Sequence, residues 1–397
     1  MRILNFFFLV CSFTIIIYAI DIDDLTFGEE STFEVMTWNI EWFPKNGQTT
    51  VDNVTQIIQA LDVDLIAMQE LDDTLIFNQM MDDLADFEGY FQSGWFAGLA
   101  YIYKPEIIEI NDIYEIYTTS EYWNAFPRSP MVMDLNFMGE NIFVINNHFK
   151  CCGDEILDFG NEEDEEYRRY MASELLKEYI DTNLPNKKVI VLGDLNDVLT
   201  DDLNNNVYQM ILDDAENYLF ADIEIAQGDN SNWSYPWWPS HIDHILITNE
   251  LFDDFNHSNS DLQTIKIDEY LEGGFDEYYD NISDHRPVGL KLEFSTVDID
   301  NELEISNYNL MKCYPNPFNP TTTISYSIPL VETNYNASLQ VYNVKGQLVE
   351  TLVSSGSKHD AGYRSVVWDA ANYPSGIYLA KLQAENFTQT QKMVLLK

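Results

Sequence analysis

The sequence predicts an α/β domain built from two packed sheets with helices outside, followed by a small β-sandwich. Three observations carry that prediction. Strand-like and helix-like stretches alternate between residues 31 and 295, the pattern of a layered α/β fold. The acidic charge that fills this region stops near residue 312. Beyond it, short strand patterns alternate with turns, as in a β-sandwich. An apolar content of 46% and an aromatic content of 14% over 397 residues supply a sizeable core and exclude a disordered chain.

Residues 1–19 read as an export signal. Arg2 gives a positive start, residues 3–18 are almost wholly apolar, and Ala19 offers a small residue for cleavage. Asp21, Asp23 and Asp24 end the run, which is short for a membrane span. No later segment is long and apolar enough to supply one. The mature chain keeps Cys151, Cys152 and Cys313, too few for a disulfide framework. Cys151 and Cys152 are adjacent, so they are either thiols or a strained vicinal disulfide, and no zinc-type spacing surrounds them.

In the α/β region, residues 33–38 read as a strand. Val54, Ile57, Ile58 and Leu61 follow at helical spacing. Residues 64–69 form a short apolar run that fits a buried strand, and 99–103 and 107–117 read as further strands. Residues 131–137 and 142–147 flank a Met138-Gly139-Glu140-Asn141 turn and predict a hairpin. Tyr167, Tyr170, Met171, Leu175 and Tyr179 mark one face of a helix. Residues 188–192, 242–248 and 288–294 complete the strands. An acidic linker is expected over 296–312. The tail, 313–397, opens on Tyr314-Pro315-Asn316-Pro317-Phe318-Asn319-Pro320, where prolines forbid helix.

Charge is the strongest compositional signal. The chain carries 20 Lys and Arg against 67 Asp and Glu, a net of −47. The residues from Cys313 onward hold 6 basic and 5 acidic groups; Arg2 aside, the remainder holds 13 and 62. Such a surface repels DNA, RNA and anionic membranes at low salt. Salty surroundings screen that repulsion, and adaptation to them is the simplest account of the composition.

The polar residues with chemical potential share one setting, the end of an apolar strand, where functional groups of layered folds gather. Asn39 follows the first strand. Glu70 ends the second, and His148 ends the hairpin. Asp194 and Asn196 follow residues 189–192. Asp243 opens one late strand, and Asp284 and His285 precede another. Carboxylate and amide oxygens are hard donors of the kind Mg²⁺ or Mn²⁺ takes, and Ca²⁺ is also compatible. His148 and His285 are suited to holding anionic phosphate or moving protons near neutral pH. Asp243 is suited to orienting an imidazole.

Thr37-Trp38-Asn39, Met68-Gln69-Glu70, Asn147-His148, Gly193-Asp194-Leu195-Asn196, Ile242-Asp243 and Ser283-Asp284-His285 occur in the order found in the endonuclease/exonuclease/phosphatase superfamily, the deoxyribonuclease I-like proteins. The resemblance covers about residues 31–294. It implies a four-layer α/β/β/α sandwich and metal-dependent hydrolysis of a phosphoester. Position by position, Glu70 resembles the main metal ligand, Asn39 the residue that helps hold metal or its water, and Asp284 a second acidic residue near the metal. Asp194 resembles the carboxylate that positions water, and Asn196 the amide that contacts phosphate. His148 resembles the phosphate-binding histidine, and Asp243 with His285 the carboxylate–imidazole pair. Arg128, within Phe126-Pro127-Arg128-Ser129-Pro130, resembles an arginine near the substrate groove. Lys150 lies close enough in sequence to His148 to reach phosphate.

Trp233, Tyr235, Trp237 and Trp238 cluster just before Asp243, and packing on the sheet edge is expected of them ahead of stacking on bases. The tail has its own resemblance. Its prolines, Val341-Tyr342-Asn343-Val344-Lys345-Gly346-Gln347, Trp368-Asp369, Ser375-Gly376-Ile377-Tyr378 and the final Lys392–Lys397 stretch look like the C-terminal sorting domain of type IX secretion. That implies an Ig-like module, passage through the periplasm, partnership with the secretion machinery and a place outside the cell. The expected protein is therefore an exported phosphodiester hydrolase, nuclease-like, using metal-activated water for in-line attack. A phosphatase or a sphingomyelinase-like enzyme on small or lipid substrates is the alternative, and a non-catalytic surface binding protein is a second.

Overall fold

In the computed structural model of the chain, the two faces of a single strand set the layer plan of the large domain. β1 (Phe33–Phe43) sends Phe33 and Val35 into one buried cluster and Met36, Trp38 and Ile40 into another, the period-2 alternation of a strand buried on both sides. The structure describes residues 22–29, 31–92, 98–294, 311–314, 316–328, 335–353, 358–359, 362–384 and 387–397. The expected export signal, 1–19, and residues 296–310 of the expected linker lie outside the described residues. The chain divides into two units, Met1–Asp298 and Ile299–Lys397.

The first unit contains two six-stranded sheets. Its further strands are β2 (Leu65–Leu71), β3 (Glu88–Gln92), β4 (Gly98–Tyr103), β5 (Ile108–Glu115), β6 (Met131–Phe137), β7 (Glu140–His148), β8 (Lys188–Asp194), β9 (Tyr218–Phe220), β10 (Asp243–Thr248), β11 (Asp261–Thr264) and β12 (Val288–Leu292). One sheet runs β11-β12-β1-β2-β4-β3 and the other β5-β6-β7-β8-β10-β9. Each centres on a parallel pair, β1 with β2 and β7 with β8. Each pair is flanked by an antiparallel strand, β12 beside β1 and β10 beside β8.

The facing sides share one apolar cluster, including Val35, Leu65, Tyr101, Met133, Val144, Ile190, Ile245 and Leu290. The outer sides are covered by helices. Val54, Ile57, Ile58 and Leu61 of α1 (Gln48–Leu61) pack with Met36, Trp38 and Ile66, as their spacing predicts. α2 (Thr74–Asp82) covers the same side, its N-terminus capped by Asp73, which accepts from the backbone N–H groups of Leu75 and Ile76. On the other outer face, α3 (Glu165–Asn183) packs on Val189, Val191 and Leu246. The result is the expected α/β/β/α layering.

The buried stripe of α3 differs from the expected one. Ala172, Leu176 and Ile180 are its apolar contacts, with Glu166, Arg169 and Ser173 buried beside them, while Tyr170, Met171, Leu175 and Tyr179 flank the stripe half-buried. Apolar periodicity missed this because the stripe includes a buried arginine. Arg169 Nε donates to Asp197 at 2.8 Å and Nη1 donates to the carbonyls of Lys150 and Cys152.

The inter-sheet layer turns polar toward one end. Thr37 Oγ1 donates to Gln69 Oε1 at 3.2 Å, Gln69 Nε2 donates to Asn146 Oδ1 at 2.8 Å, and Asn146 Nδ2 donates to the carbonyls of Met68 and Ala100. This fully buried chain crosses from one sheet to the other. Tyr101 makes a second crossing. Its hydroxyl accepts from the Asn146 backbone N–H at 3.0 Å and faces the carbonyls of Met131 and Val144 at 2.7 and 2.9 Å, donating to one of them.

The second unit is β-rich. β13 (Met311–Tyr314), β14 (Thr321–Ile328) and β18 (Gly362–Asp369) form one antiparallel sheet. The other pairs β16 (Leu348–Val353), β15 (Tyr335–Asn343), β19 (Gly376–Ala384) and β20 (Phe387–Leu395) in that order, with β17 (Lys358–His359) beside β15. Ile324 and Trp368 from the first sheet meet Leu339, Val341, Ala380 and Met393 from the second in one buried cluster.

Tyr101→Phe leaves the Asn146 N–H without its acceptor between the sheets. It is expected to lower stability by about 1–3 kcal/mol. A fall in the urea midpoint at constant slope measures it, and an unchanged midpoint would show that the crossing contributes nothing.

Candidate active site

The polar layer described above is capped by a second one. In the parallel β7–β8 pair His148 lies opposite Asp194, and in the antiparallel β8–β10 pair Asp194 lies opposite Asp243. The three side chains thus form one row across the second sheet. Each shares its strand's inward face, two residues beyond Asn146, Leu192 or Ile245. Across the gap Asn39 of β1 occupies the corresponding position, one inward step beyond Thr37. β1, β2, β7 and β8 end here, while β10 begins here and His285 leads into β12.

The row needs strands in close approach. Gly193 has φ +150°, and a Cβ there would fall 2.0 Å from the backbone oxygen of Asn147, so no other residue fits without moving β7 from β8. At the mouth, Glu41, Trp42, Glu70 and Asn196 hold positive φ angles of 41°, 54°, 63° and 57°. Register shifts in β1 between Asn39 and Phe43, and in β2 between Met68 and Leu71, accompany them. Left-handed backbone at non-glycine residues concentrates at functional sites.

Asn39 Nδ2 donates to Asp194 Oδ2 at 2.9 Å and approaches Glu70 Oε1 at 3.3 Å, while its Oδ1 accepts from the Glu41 backbone N–H. Asn39 therefore presents its amino group to the carboxylates. Asn39, expected to help hold metal or its water, lies directly beside Glu70, the expected main metal ligand. The Trp42 N–H donates to Glu70 Oε2 at 3.2 Å. His148 Nε2 lies 3.5 Å from Asp194 Oδ2 and 3.8 Å from Glu70 Oε1. His285 Nδ1 pairs with Asp243 Oδ2 at 2.8 Å, and its Nε2 lies 3.9 Å from Asp194 Oδ2 and 3.8 Å from Asp284 Oδ1. Asn196 donates its backbone N–H to Asp194 Oδ1 at 3.1 Å.

The two histidines are driven apart electrostatically. Burial pushes His148 well below the usual imidazole range, and the charges of Arg128 and His285 add to the effect. Burial would lower His285 too, but the carboxylates of Asp243, Asp194 and Asp284 outweigh it and hold it well above that range. Burial raises Asp194 to about 7, with His285 and Asn39 pulling it down and Asp243 and Glu70 pushing it up. Glu41 is also raised, by burial and by neighbouring Asp284, with Lys45 opposing. Arg128 belongs to this group. Burial lowers it, while Glu70 and Asp194 hold it up. Lys150 is directed elsewhere: its Nζ donates to the Cys151 carbonyl at 2.8 Å and lies 3.8 Å from Glu165.

The donor set fits a divalent cation. Glu41, Glu70, Asp194, Asp243 and Asp284 crowd one mouth, and burial raises Asp194 with Asp243 and Glu70 adding to the rise. Asp243 Oδ1 and His148 Nδ1 have no hydrogen-bond partner among the described residues. Hard oxygens in excess of local cations are what Mg²⁺ or Mn²⁺ binds.

Sequence reasoning missed several residues that build the site. Ser283 Oγ donates to the Asn39 carbonyl and accepts from the His285 N–H. Tyr278 donates to the His285 carbonyl at 2.5 Å and accepts from Trp38 Nε1 at 3.0 Å, tying His285 to β1. On the opposite face of β10 from Asp243, His244 Nδ1 lies 2.6 Å from Asp222 Oδ2 and Nε2 lies 2.8 Å from the Asp197 carbonyl. A carbonyl and a carboxylate both accept, so both ring nitrogens carry protons and His244 is an imidazolium. His241 joins Asp222 from 3.1 Å, off the line of a hydrogen bond, while its Nδ1 accepts from the Ser234 N–H. His244 and Arg169 together grip Asp197, fixing the loop that follows Asp194. The alternation of Asp243 and His244 on opposite strand faces was the available signal.

The aromatic cluster corrects another expectation. Trp233 packs as expected, donating from Nε1 to the Ile225 carbonyl, and Tyr235 lies against the His285 ring at 4.8 Å. Trp237 and Trp238 do not pack on the sheet edge; they are 59% and 73% exposed. Trp237 stacks on Tyr279 at 4.7 Å, and Lys45 covers the Tyr279 ring at 3.9 Å. Backbone bonds between Tyr235 and Ser240 close the loop. Arg286 ties it down through the carbonyls of Ser234 and Ser231 and pairs bidentately with Asp268.

Residues 36–285 match the model of the Endonuclease/Exonuclease/phosphatase family, and residues 312–396 match that of the Secretion system C-terminal sorting domain. No curated protein matches the sequence. Among solved structures, D. rerio TDP2 complexed with single strand DNA product is 12% identical, with a TM-score of 0.49, over 67% of this chain and 100% of its own. The human Nocturnin catalytic domain with bound sulfate is 16% identical, with a TM-score of 0.47, over 67% and 95%. An endonuclease/exonuclease/phosphatase from Bacteroides vulgatus is 14% identical, with a TM-score of 0.46, over 67% and 100%.

The buried Asp222–His244 pair has a pH signature. Burial opposes both charges, but their mutual attraction, with His241, holds Asp222 well below and His244 above its ordinary range. A raised His244 contributes stability that is fully present below about pH 6.5 and is lost as pH rises through its folded value. The gap in urea midpoint between the wild type and His244→Gln should therefore shrink from pH 6 to pH 9. A gap that widens over that interval would contradict a charged His244.

Proposed function

The chain belongs to the endonuclease/exonuclease/phosphatase family, and on that premise we propose that it is a divalent-metal-dependent phosphodiesterase of nuclease type, acting on base-bearing substrates outside the cell. Membership carries hydrolysis of a phosphoester, and the type IX sorting domain carries export to the outer surface or the medium. Among the described residues no helix is long and apolar enough to cross a membrane.

One observation supports the mechanism above others: Asp194 stands between Asn39, His148 and His285, with His285 itself held by Asp243. Asp194 is placed to orient and deprotonate a water, since burial and its neighbours lift it toward neutrality. His285, kept protonated by Asp243, is placed to stabilise charge developing on phosphate oxygens. His148, kept neutral, is placed to donate a hydrogen bond to phosphate without competing for the carboxylates. Arg128 adds a fixed positive charge, and the Asn196 N–H holds Asp194 in its orientation. Glu70 and Asp284 would hold the cation, with Asn39 steadying Glu70. When bound, a divalent cation offsets charge on the phosphate and its leaving oxygen.

The substrate class follows from charge and aromatics together. A net charge of −47 opposes the phosphate contacts that give duplex binding its affinity. Trp237 and Trp238, exposed on a pinned loop whose Tyr235 touches His285, offer stacking surfaces that need no net positive charge. Single-stranded or short nucleotide substrates fit both facts. The acidic surface also leaves open a small or lipid phosphoester, for which a phosphatase or sphingomyelinase-like activity is the second reading.

The test uses the full protein with Mg²⁺ or Mn²⁺, with and without chelator, across a salt series. Single-stranded oligonucleotide, RNA, plasmid, a lipid phosphodiester and a phosphomonoester are offered. Turnover of single strands is expected, abolished by chelator. Asp194→Asn and His285→Gln are each expected to lower kcat by about a hundredfold or more while the fold persists. Turnover confined to the monoester or the lipid would transfer the assignment to the second reading, and none with any substrate would sink the hydrolase.

Trp237→Ala and Trp238→Ala should raise KM for the oligonucleotide about fivefold or more, with little change in kcat. They should leave KM unchanged for an oligonucleotide with abasic positions. Equal effects on both substrates would rule out base stacking.

A further inference from the structure

Cys151 and Cys152 open the loop that leaves β7 beyond His148. Both are exposed thiols, and their sulfurs lie 2.9 Å apart, with Cys152 Sγ–H donating to Cys151 Sγ. Lys150 Nζ lies 3.7 Å from Cys151 Sγ, and Cys151 is among the groups near enough to act on Arg128, after Glu70 and Asp194. The loop is anchored around them. The Phe149 N–H donates to the Asp194 carbonyl at 3.0 Å, and Arg169 Nη1 donates to the carbonyls of Lys150 and Cys152 at 2.9 and 2.7 Å. Cys152 itself sits at φ +70°. The anchors hold the two sulfurs together at the rim of the candidate phosphate site, in a chain exported through an oxidising compartment.

We propose that Cys151–Cys152 is a redox-modified pair that closes to a vicinal disulfide by exchange with a disulfide-bearing carrier, and that its closure strengthens phosphate binding beside Arg128. The second half rests on the phosphoester reading above; the first does not. The exchange balances in two steps. The Cys151 thiolate attacks the carrier disulfide, forming a mixed disulfide and releasing one carrier thiolate. Cys152 then loses its proton and attacks the Cys151 sulfur, forming the Cys151–Cys152 bond and releasing the second carrier thiolate. Two electrons pass to the carrier and two protons to water.

The geometry assigns the order. Cys151 has the neighbouring cation, and Cys152 is the hydrogen-bond donor, its thiol raised to about 11 by that bond and by burial. Adjacent Cα atoms stand about 3.8 Å apart, closer than an unstrained disulfide spans. The bond is therefore strained and readily reduced, which makes it a reversible switch rather than a staple. Closure ends the contact between Lys150 Nζ and the Cys151 thiol at 3.7 Å, one of the contacts that turn Lys150 away from phosphate in the reduced pair.

Trypsin frees residues 151–168, which contain both thiols and exclude Cys313. After treatment of the full folded protein with glutathione disulfide, that peptide should lose about 2 Da, resist alkylation, and regain both on reduction. Cys152→Ser should trap a glutathione adduct of about 305 Da on Cys151, and Cys151→Ser should trap far less on Cys152. KM for the phosphodiester should fall about two- to fivefold on oxidation, the scale of one screened charge. The Cys151→Ser/Cys152→Ser protein should show no such response. Full alkylation of both thiols after oxidant, or no adduct in Cys152→Ser, overturns the redox pair. Closure with an unchanged KM overturns the coupling. The mass measurement needs no turnover, so it stands even if the hydrolase reading fails.

Discussion

Two sheets packed face to face bury their inward side chains, which favours apolar or hydrogen-bonded groups there. The large domain obeys this in layers. Most of the gap is filled by residues such as Val35, Leu65, Val144, Ile190 and Leu290. Thr37, Gln69 and Asn146 then form a closed hydrogen-bonded chain that crosses the gap. Only beyond that does the charged row of His148, Asp194 and Asp243 occur. The polar chain separates hydrocarbon from charge, and the strand period of two places the row at a single height.

The row and its neighbours concentrate carboxylates at one mouth. Burial and mutual repulsion lift Asp194, and Glu41 rises beside Asp284. His285 answers part of this from one side and Arg128 from another, and the proposed divalent cation would offset the remainder. The supporting residues follow the same logic one layer out. Asp222 neutralises His244, and Arg169 with His244 holds Asp197, so the loop after Asp194 is fixed by charges turned away from the mouth.

Much of the site was legible in the sequence because strand ends are legible. Apolar runs ending in Asn39, Glu70, His148 and Asp194 announce both the strand and the polar residue that terminates it, and their order carries the family resemblance. Proximity in sequence to His148 says nothing of the direction of Lys150, which the loop turns toward Cys151 and Glu165. Tyr278, Ser283 and Asp222 were invisible because a tyrosine, a serine and an aspartate in turns have many ordinary uses. The α3 face was misread because a buried arginine breaks apolar periodicity. Trp237 and Trp238 were assigned to packing because large aromatics usually bury, and a loop pinned by Arg286 exposes them instead.

By itself the sequence determined the layered α/β class, the change of composition near residue 312, the acidic surface and the set of strand-end residues. These follow from local pattern: the period of apolar residues, the position of turns and the count of charges. Only the tertiary structure decided which of those residues meet. It set His148, Asp194 and Asp243 in one row, turned the Asn39 amino group toward the carboxylates, and placed two sulfurs beside the rim. The physical reason is that strand register and chain direction are settled by pairing between segments far apart in sequence. A shift of one residue would send each of these side chains to the opposite face.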